Sequence, residues 1–222
     1  MRYGIIADIH SNLEALLAVL RQLEGKAEQI VCLGDILGYG PDPNECCEIL
    51  RKRGIPSVAG NHEKATTGEL ELTWFNPNAA AAIRWTQKVM LPENLEHIKS
   101  LPLTLDFPEF EIVHGSLVNP VEEYLTSMAE AIPTFKLMQK PLLFVGHTHR
   151  PLRLQYDNKE IINPGSVGQP RDGDPWAAYV VYDSEKKEAE LFRVNYDIEA
   201  VQNKMKAAGL PQFLIERLAL GR

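Results

Sequence analysis

Five of the six histidines fall in compact polar motifs, and each motif, like Gly34-Asp35, directly follows a run of apolar residues. Asp8-Ile9-His10 follows Tyr3 to Ala7, Gly34-Asp35 follows Ile30 to Leu33, and Gly60-Asn61-His62-Glu63 follows Ser57 to Ala59. His114-Gly115 follows Phe110 to Val113, and Gly146-His147-Thr148-His149 follows Leu142 to Val145. Such runs read as buried strands. In an open α/β sheet ligands bind beyond the carboxyl ends of the strands, so side chains emerging there converge on one rim. A single Asp or His at a strand end is more often a turn or hydrogen-bonding residue. The shared register is what turns these residues into one candidate site.

Asp8, His10, Asp35, Asn61, His114, His147 and His149 are the candidate metal ligands. Carboxylate, imidazole and amide oxygen without thiolate favour Mn²⁺, Fe, Co²⁺, Ni²⁺ or Zn²⁺ over a cysteine-built structural zinc site. Seven donors are too many for one tetrahedral ion and suit two ions that share a carboxylate. Two metals about 3.5–4 Å apart can clamp the attacking and leaving oxygens of an in-line displacement and acidify a bridging water. Gly34, Gly60, Gly115 and Gly146, beside the donors, permit tight turns and close backbone approach. His97 lies in a polar helical stretch from Glu93 to Lys99 and reads as an ordinary surface histidine.

The elements that must position these donors alternate. Tyr3 to Ala7 and Gln29 to Leu33 read as strands, and Ile55 to Ala59 as a third. Between them lie helical patterns over Asn12 to Leu23 and Pro43 to Arg53, with Leu13, Leu16, Leu17 and Leu20 on one stripe. Such alternation implies a largely parallel sheet with right-handed crossovers. Asn76-Pro77 opens another helix, Asn76 as cap and Pro77 in the first turn, which Pro92 stops. From residue 103 onward the pattern shortens into strands: Leu103 to Phe107, Phe110 to His114, Leu142 to Val145, Leu152 to Tyr156, Ile161 to Asn163, Ala177 to Tyr182 and Ala189 to Val194. A helical tail over about 198–220, broken near Gly209-Leu210-Pro211, closes the chain. With no repeat, low-complexity stretch or linker, residues 1–222 read as one domain.

Bulk properties narrow the partners. The formal charge is −7, from 23 Lys plus Arg against 30 Asp plus Glu, with no basic stripe. A protein holding long nucleic acid through phosphate contacts usually shows such a stripe, so long duplex partners are disfavoured and a nucleotide-sized substrate is not. No apolar run approaches the roughly 20 residues that span a bilayer, and no leader pattern opens the chain, so no membrane partner is expected. Cys32 and the neighbours Cys46 and Cys47 lack framework spacing and read as reduced thiols of a cytoplasmic protein. A homo-oligomer is compatible with all of this.

The set D-x-H, G-D, G-N-H-E, H-G and G-H-T-H, in that order from residue 8 to residue 149, resembles the calcineurin-like metallophosphoesterase superfamily. It is most similar to the small bacterial and archaeal phosphodiesterase or phosphatase branch, and Asn163-Pro164-Gly165-Ser166 with Arg171 extends the likeness to about residue 171. The resemblance implies a four-layer α-β-β-α sandwich with two mixed β-sheets. It implies that Asp8, His10 and His149 hold one metal, that Asn61, His114 and His147 hold the other, and that Asp35 bridges them. Mn²⁺ is the first expectation for both. His62 would stay uncoordinated and act on substrate as general acid or as a stabiliser of transition-state charge. Glu63 would orient its loop or face solvent, and Asn12 would cap the first helix rather than contact phosphate.

One departure narrows the activity. The protein Ser/Thr phosphatase branch carries G-D-x-V-D-R-G, whereas here Gly38 and Tyr39 replace the Asp partner of the catalytic His and the phosphate-binding Arg. Without that Arg clamp, phosphoprotein phosphatase activity is not expected. The expected function is therefore metal-dependent hydrolysis of a small phosphate ester, diester or monoester, nucleotides included, by a bridging hydroxide. The alternatives are a dinucleoside polyphosphate hydrolase, a nuclease, and, in another class, a non-catalytic scaffold of this fold. Tyr39, Trp74 and Phe75 are candidates for an aromatic wall, and Arg171, Arg150 and Lys64 for a second anion contact.

Overall fold

A two-residue alternation in the first strand decides the layering. Tyr3, Ile5 and Ala7 point to one face and Ile6 to the other, and all four are buried. A computed structural model describes residues 1–222. Strand β1 (Arg2–Ile6) pairs in parallel with β2 (Gln29–Cys32), Ile5 opposite Val31, after the crossover helix α1 (Leu13–Leu23). Helices α2 (Pro43–Lys52), α3 (Asn61–Thr66), α4 (Pro77–Val89) and α5 (Pro92–Lys99) follow. Then come β3 (Thr104–Asp106), β4 (Phe110–Val113), α6 (Met128–Leu137), β5 (Leu142–Phe144), β6 (Pro151–Tyr156) and β7 (Lys159–Pro164). The chain ends with β8 (Ala177–Asp183), β9 (Glu188–Val194), α7 (Ile198–Ala207) and α8 (Gln212–Leu218).

One sheet has the order β2-β1-β8-β9 and the other β3-β4-β5-β7-β6. Both mix parallel and antiparallel pairs, β1–β2, β4–β5 and β5–β7 being the parallel ones. Tyr3, Ile5, Val31, Phe110, Phe144 and Tyr182 pack between the sheets. Ile6, Leu16, Leu20, Cys32 and Leu50 pack the first sheet against α1 and α2. Val113, Val145 and Ile161 pack the second sheet against Phe135 of α6. The expected four-layer α-β-β-α sandwich of two mixed sheets is thus what the chain forms. No helix is long and apolar enough to cross a membrane.

Local signals place most helix ends. Asn12 caps α1 by accepting from the Ala15 amide at 3.1 Å, and Asn76 caps α4 by accepting from Asn78 and Ala79. The buried stripe of α1 is Ala15, Leu16, Val19, Leu20 and Leu23; Leu13 and Leu17 lie only half-buried at its flank. The broken tail appears as α7 and α8 on either side of Gly209 to Pro211.

Two expectations need correction. Ile55 to Ala59 is not a strand. Cys32 donates to the Pro56 carbonyl and accepts from Val58, giving one bridge at Ser57, and the Ala59 amide then turns to Pro102. Proline has no amide to extend that ladder. Pro92 does more than stop α4, since it also occupies the first turn of α5.

Candidate metal centre

All seven ligand candidates meet in one place, just beyond the carboxyl ends of the strands, and all are buried. Asp8 and His10 leave β1, Asp35 leaves β2, His114 follows β4, and His147 and His149 follow β5. Asn61 opens α3, and its loop reaches the rim through the single Ser57 bridge to Cys32 rather than from a strand.

The donor atoms fall into two groups with one member in common. Asp8, His10, Asp35 and His149 bring ligand atoms within 4.8 Å of one another, and so do Asp35, His114 and His147. The Asp35 Oδ2 lies 3.6 Å from His10 Nε2 and 3.4 Å from His114 Nε2. Asn61 joins the second group through its amide oxygen, 3.2 Å from His114 Nε2.

The hydrogen bonds around the rings tell what these atoms can bind. His10 Nδ1 faces the Leu37 carbonyl at 2.9 Å, His114 Nδ1 the Leu33 carbonyl at 2.9 Å, and His149 Nδ1 the Gln169 carbonyl at 2.6 Å. His147 faces the Glu122 carbonyl with Nε2, at 3.3 Å. A carbonyl only accepts, so each of these nitrogens carries the hydrogen and the other ring nitrogen is a bare lone pair. In the neutral rings His10 Nε2 and His149 Nε2 then stand 2.9 Å apart with no hydrogen between them, while His114 Nε2 lies 3.1 Å from His147 Nδ1. Facing lone pairs beside carboxylates are a donor set for cations, and the residues fit the metals that the chemistry of the set implies.

Electrostatics agree for three of the four rings. Burial drives His10 and His149 well below the usual histidine range and His147 to about 3, which keeps these rings neutral as ligands must be. Burial raises Asp8 to about 8. Burial opposes ionisation of Asp35 too, but His114 and His62 override it and hold its carboxyl low, while the Asp35 carboxylate lifts His114 to about 9 against its own burial. Of the two carboxyls, the rings beside Asp35 thus favour its ionised form, while burial favours the protonated form of Asp8.

The backbone carries strain where the donors sit. Asp8, His10, Asp35, His147 and His149 all have positive φ, between 48° and 70°, as do Ser11 and Tyr39. Away from the site Asp157 and Lys187 are the only non-glycine residues with this feature, and each lies in a hairpin turn, between β6 and β7 and between β8 and β9. Each such residue costs on the order of 1 kcal/mol and persists only where its surroundings over-determine it.

Several side chains supply that support. Glu63, fully buried, accepts from the backbone amides of Asp35 at 2.7 Å, Leu37 at 3.0 Å and Gly60 at 2.8 Å. It orients the loop and does not face solvent. Asn163 donates to the Gly146 carbonyl and to Thr148 Oγ1, and Ser166 to the Asp8 carbonyl, so the Asn163-Pro164-Gly165-Ser166 segment braces both donor loops. Glu63→Ala leaves three buried amides without an acceptor, and we expect it to lower the unfolding free energy by about 3 kcal/mol. Chemical denaturation checks this.

His62 sits beside the donors without joining them. Its amide donates to Asp35 Oδ1 at 3.0 Å, and its ring lies 4.7 Å from that of His10 and 4.5 Å from that of Tyr39. Its Nδ1 is buried with no partner. A Cβ at Gly38 would stand 2.1 Å from this atom, and one at Gly60 would stand 2.2 Å from Asp35 Oδ1, so both positions require glycine. The Asp that the phosphatase branch places at residue 38 has no room here. Burial lowers His62 to about 4.

The centre opens into a cleft of about 700 Å³ whose walls include Asp35, Asn61, His62, His147 and His149. All three aromatic candidates, Tyr39, Trp74 and Phe75, line the cleft, Tyr39 buried against His10 and His62. Arg171 lines it too and donates to the Tyr39 hydroxyl at 3.3 Å. Arg150 and Lys64 do not; Arg150 bonds the Arg171 carbonyl and Lys64 pairs with Glu69. Glu122, Tyr124, Phe213 and Arg217 also line the cleft and carry no motif in the sequence. His97 stands apart from the donors, in α5.

Comparisons with known proteins fit this geometry. The family model of the calcineurin-like phosphoesterase superfamily domain matches residues 1–187. An uncharacterized protein of Methanocaldococcus jannaschii, MJ0912, is 41% identical over 99% of this chain and 98% of its own length. The phosphodiesterase YfcE of Escherichia coli is 27% identical over 83% of this chain and 89% of its own length. The crystal structure of a metallophosphoesterase from Sphaerobacter thermophilus superposes with a TM-score of 0.90 at 40% identity, covering 100% of this chain and 99% of that one. With the family's motifs gathered into one buried donor cluster, the chain belongs to the calcineurin-like phosphoesterase superfamily and is a phosphoester hydrolase.

Proposed function

We propose that the chain hydrolyses a small phosphodiester, with phosphomonoesters as the second choice, at a centre of two divalent cations that share Asp35. The observation that carries this reading is the pair of donor groups with Asp35 in common. Asp8, His10 and His149 would complete one cation site, and Asn61, His114 and His147 the other. Bound there, the cations would acidify a water to serve as nucleophile and neutralise charge on the phosphoryl oxygens. Mn²⁺ is the first cation to supply, since imidazole, carboxylate and amide oxygen together suit it.

The chain's own residues would do the rest. Asp35 holds the two donor groups in register, and Glu63 fixes the Asp35 loop from behind. His62 is neutral near pH 7, with Nδ1 walled in by Gly38, so Nε2 is the ring nitrogen left for the cleft. A neutral ring is a poor general acid but a good hydrogen-bond donor toward developing charge, and this favours the stabilising role over proton transfer. The relative YfcE is a phosphodiesterase, which supports the choice of diester.

The proposal extends to the whole chain. Tyr39 and α4 share one buried cluster with α7 and α8, so residues 1–222 are taken as one domain. The three cysteines are free and buried, which supports a cytoplasmic location. The test is hydrolysis of bis-p-nitrophenyl phosphate by metal-free protein with and without added Mn²⁺. We expect turnover only with the cation and its loss on adding a chelator. Turnover undiminished by chelator rules the reading out.

A further inference from the structure

The cleft contains a feature that the cation centre does not use. Arg171 and Arg217 both line it, and neither pairs with an Asp or Glu side chain. Apart from Asp35, which belongs to the donor cluster, Glu122 is the one carboxylate on the cleft wall. Two guanidinium groups thus face shared space in a protein whose formal charge is −7. Each raises the cost of the other, and burial together with the charge of Arg171 lowers Arg217 to about 10.

Both groups are held in place with donors to spare. Arg171 spends Nε and Nη2 on Gln169 Oε1, at 3.3 and 2.9 Å, and Nη2 also reaches the Tyr39 hydroxyl. Its guanidinium lies 5.6 Å from the Tyr39 ring centroid. Arg217 spends Nε on the Arg222 carbonyl and lies 5.3 Å over the Phe213 ring. Nη1 of Arg171 and both Nη atoms of Arg217 have no protein partner. Oriented guanidinium Nη donors with no Asp or Glu side chain to bind suit a phosphate.

The tail supplies half of this feature. Val201, Met205, Leu214 and Leu218 pack on Ala79, Ala82 and Tyr39, which fixes α8 at the cleft. Arg217 lies beyond residue 187, where the match to the superfamily model ends. The shared family motifs therefore do not account for it. On the cleft wall Trp74 is 74% exposed, a large ring with nothing packed over most of its surface. Aromatic faces of this kind stack bases.

We infer that Arg171 and Arg217 form an anion subsite for a second phosphate of the substrate, a nucleotide whose base lies on Trp74. The inference rests on the diester reading above and specifies its substrate class. The test compares two chromogenic diesters that differ in one group: the p-nitrophenyl ester of thymidine 5′-phosphate with and without a 3′-phosphate. With Mn²⁺ supplied, the wild-type protein prefers the 3′-phosphorylated ester in kcat/KM by about tenfold or more, the worth of one or two charge-assisted hydrogen bonds.

Arg217→Gln brings the ratio close to unity, and Arg217→Lys restores part of it by restoring the charge. A merely structural role for Arg217 lowers both esters alike and leaves the ratio standing. Equal kcat/KM for the two esters in the wild-type protein overturns the subsite while leaving the diester reading intact, as does an undiminished preference in Arg217→Gln. Turnover of neither ester with Mn²⁺, Co²⁺, Ni²⁺ or Zn²⁺ removes the diester reading itself and the subsite with it.

Discussion

Asp35→Asn abolishes the cation-dependent hydrolysis of bis-p-nitrophenyl phosphate, lowering kcat by about 10³-fold or more. The expectation follows from where the carboxylate sits. Its Oδ2 is within 3.6 Å of His10 Nε2 in one donor group and 3.4 Å of His114 Nε2 in the other. Removing its charge would weaken both proposed cation sites at once, whereas any other single candidate ligand belongs to one group. The amide is isosteric and keeps an oxygen for the His62 amide, which Asp35 Oδ1 accepts at 3.0 Å. The metal-free variant should therefore stay folded, with a melting temperature near that of the metal-free wild-type protein. What it loses is the rise in stability on adding cation, about 3 kcal/mol at a hundredfold excess over Kd. Melting curves with and without Mn²⁺ separate this outcome from simple unfolding.

His62→Ala gives the opposite combination. We expect kcat to fall by about 10²- to 10³-fold with bound metal unchanged. The ring lies against His10 and Tyr39 but contributes no atom to either donor group. Its loss would remove a hydrogen-bond donor from the cleft wall and leave both donor groups intact. Metal analysis alongside kinetics distinguishes the two variants: Asp35→Asn loses both metal and rate, and His62→Ala loses rate alone. A His62→Ala protein that turns over at the wild-type rate takes His62 out of the mechanism.

Much of this centre was legible in the sequence because its donors follow strands. A short buried strand has a plain signature, and the residue after it has a direction fixed by the sheet. Asp8, His10, Asp35, His114, His147 and His149 follow this rule. Asn61 and His62 do not, since Pro56 limits their segment to one bridge, yet α3 begins at the same rim. The motif reaches the rim there although the strand expected before it is a single bridge. Helix α6 gives no comparable signal, because Pro133 sits within it, and the Ser127–Glu130 capping box is its main local mark.

The cleft walls were less legible. Trp74, Phe75 and Arg171 stand near motifs and draw notice. Glu122, Tyr124, Phe213 and Arg217 have no such neighbours. Tyr124 reaches the site by stacking on His147, with ring centroids 3.8 Å apart, and Arg217 by the packing of α7 and α8 against α4. Those are tertiary contacts between segments far apart in the chain, and periodicity carries no record of them. Glu63 is an intermediate case. Its place in the motif marks it, but that it serves three amides appears only when the loops are assembled.

Two cations sharing one carboxylate is the central claim, and a single titration tests it most directly. Metal-free protein is titrated with Mn²⁺ while bound metal and hydrolysis of bis-p-nitrophenyl phosphate are followed together. The shared Asp35 predicts that activity rises until about two cations are bound per chain and then levels off. Full activity at one bound cation per chain, or with none, contradicts it.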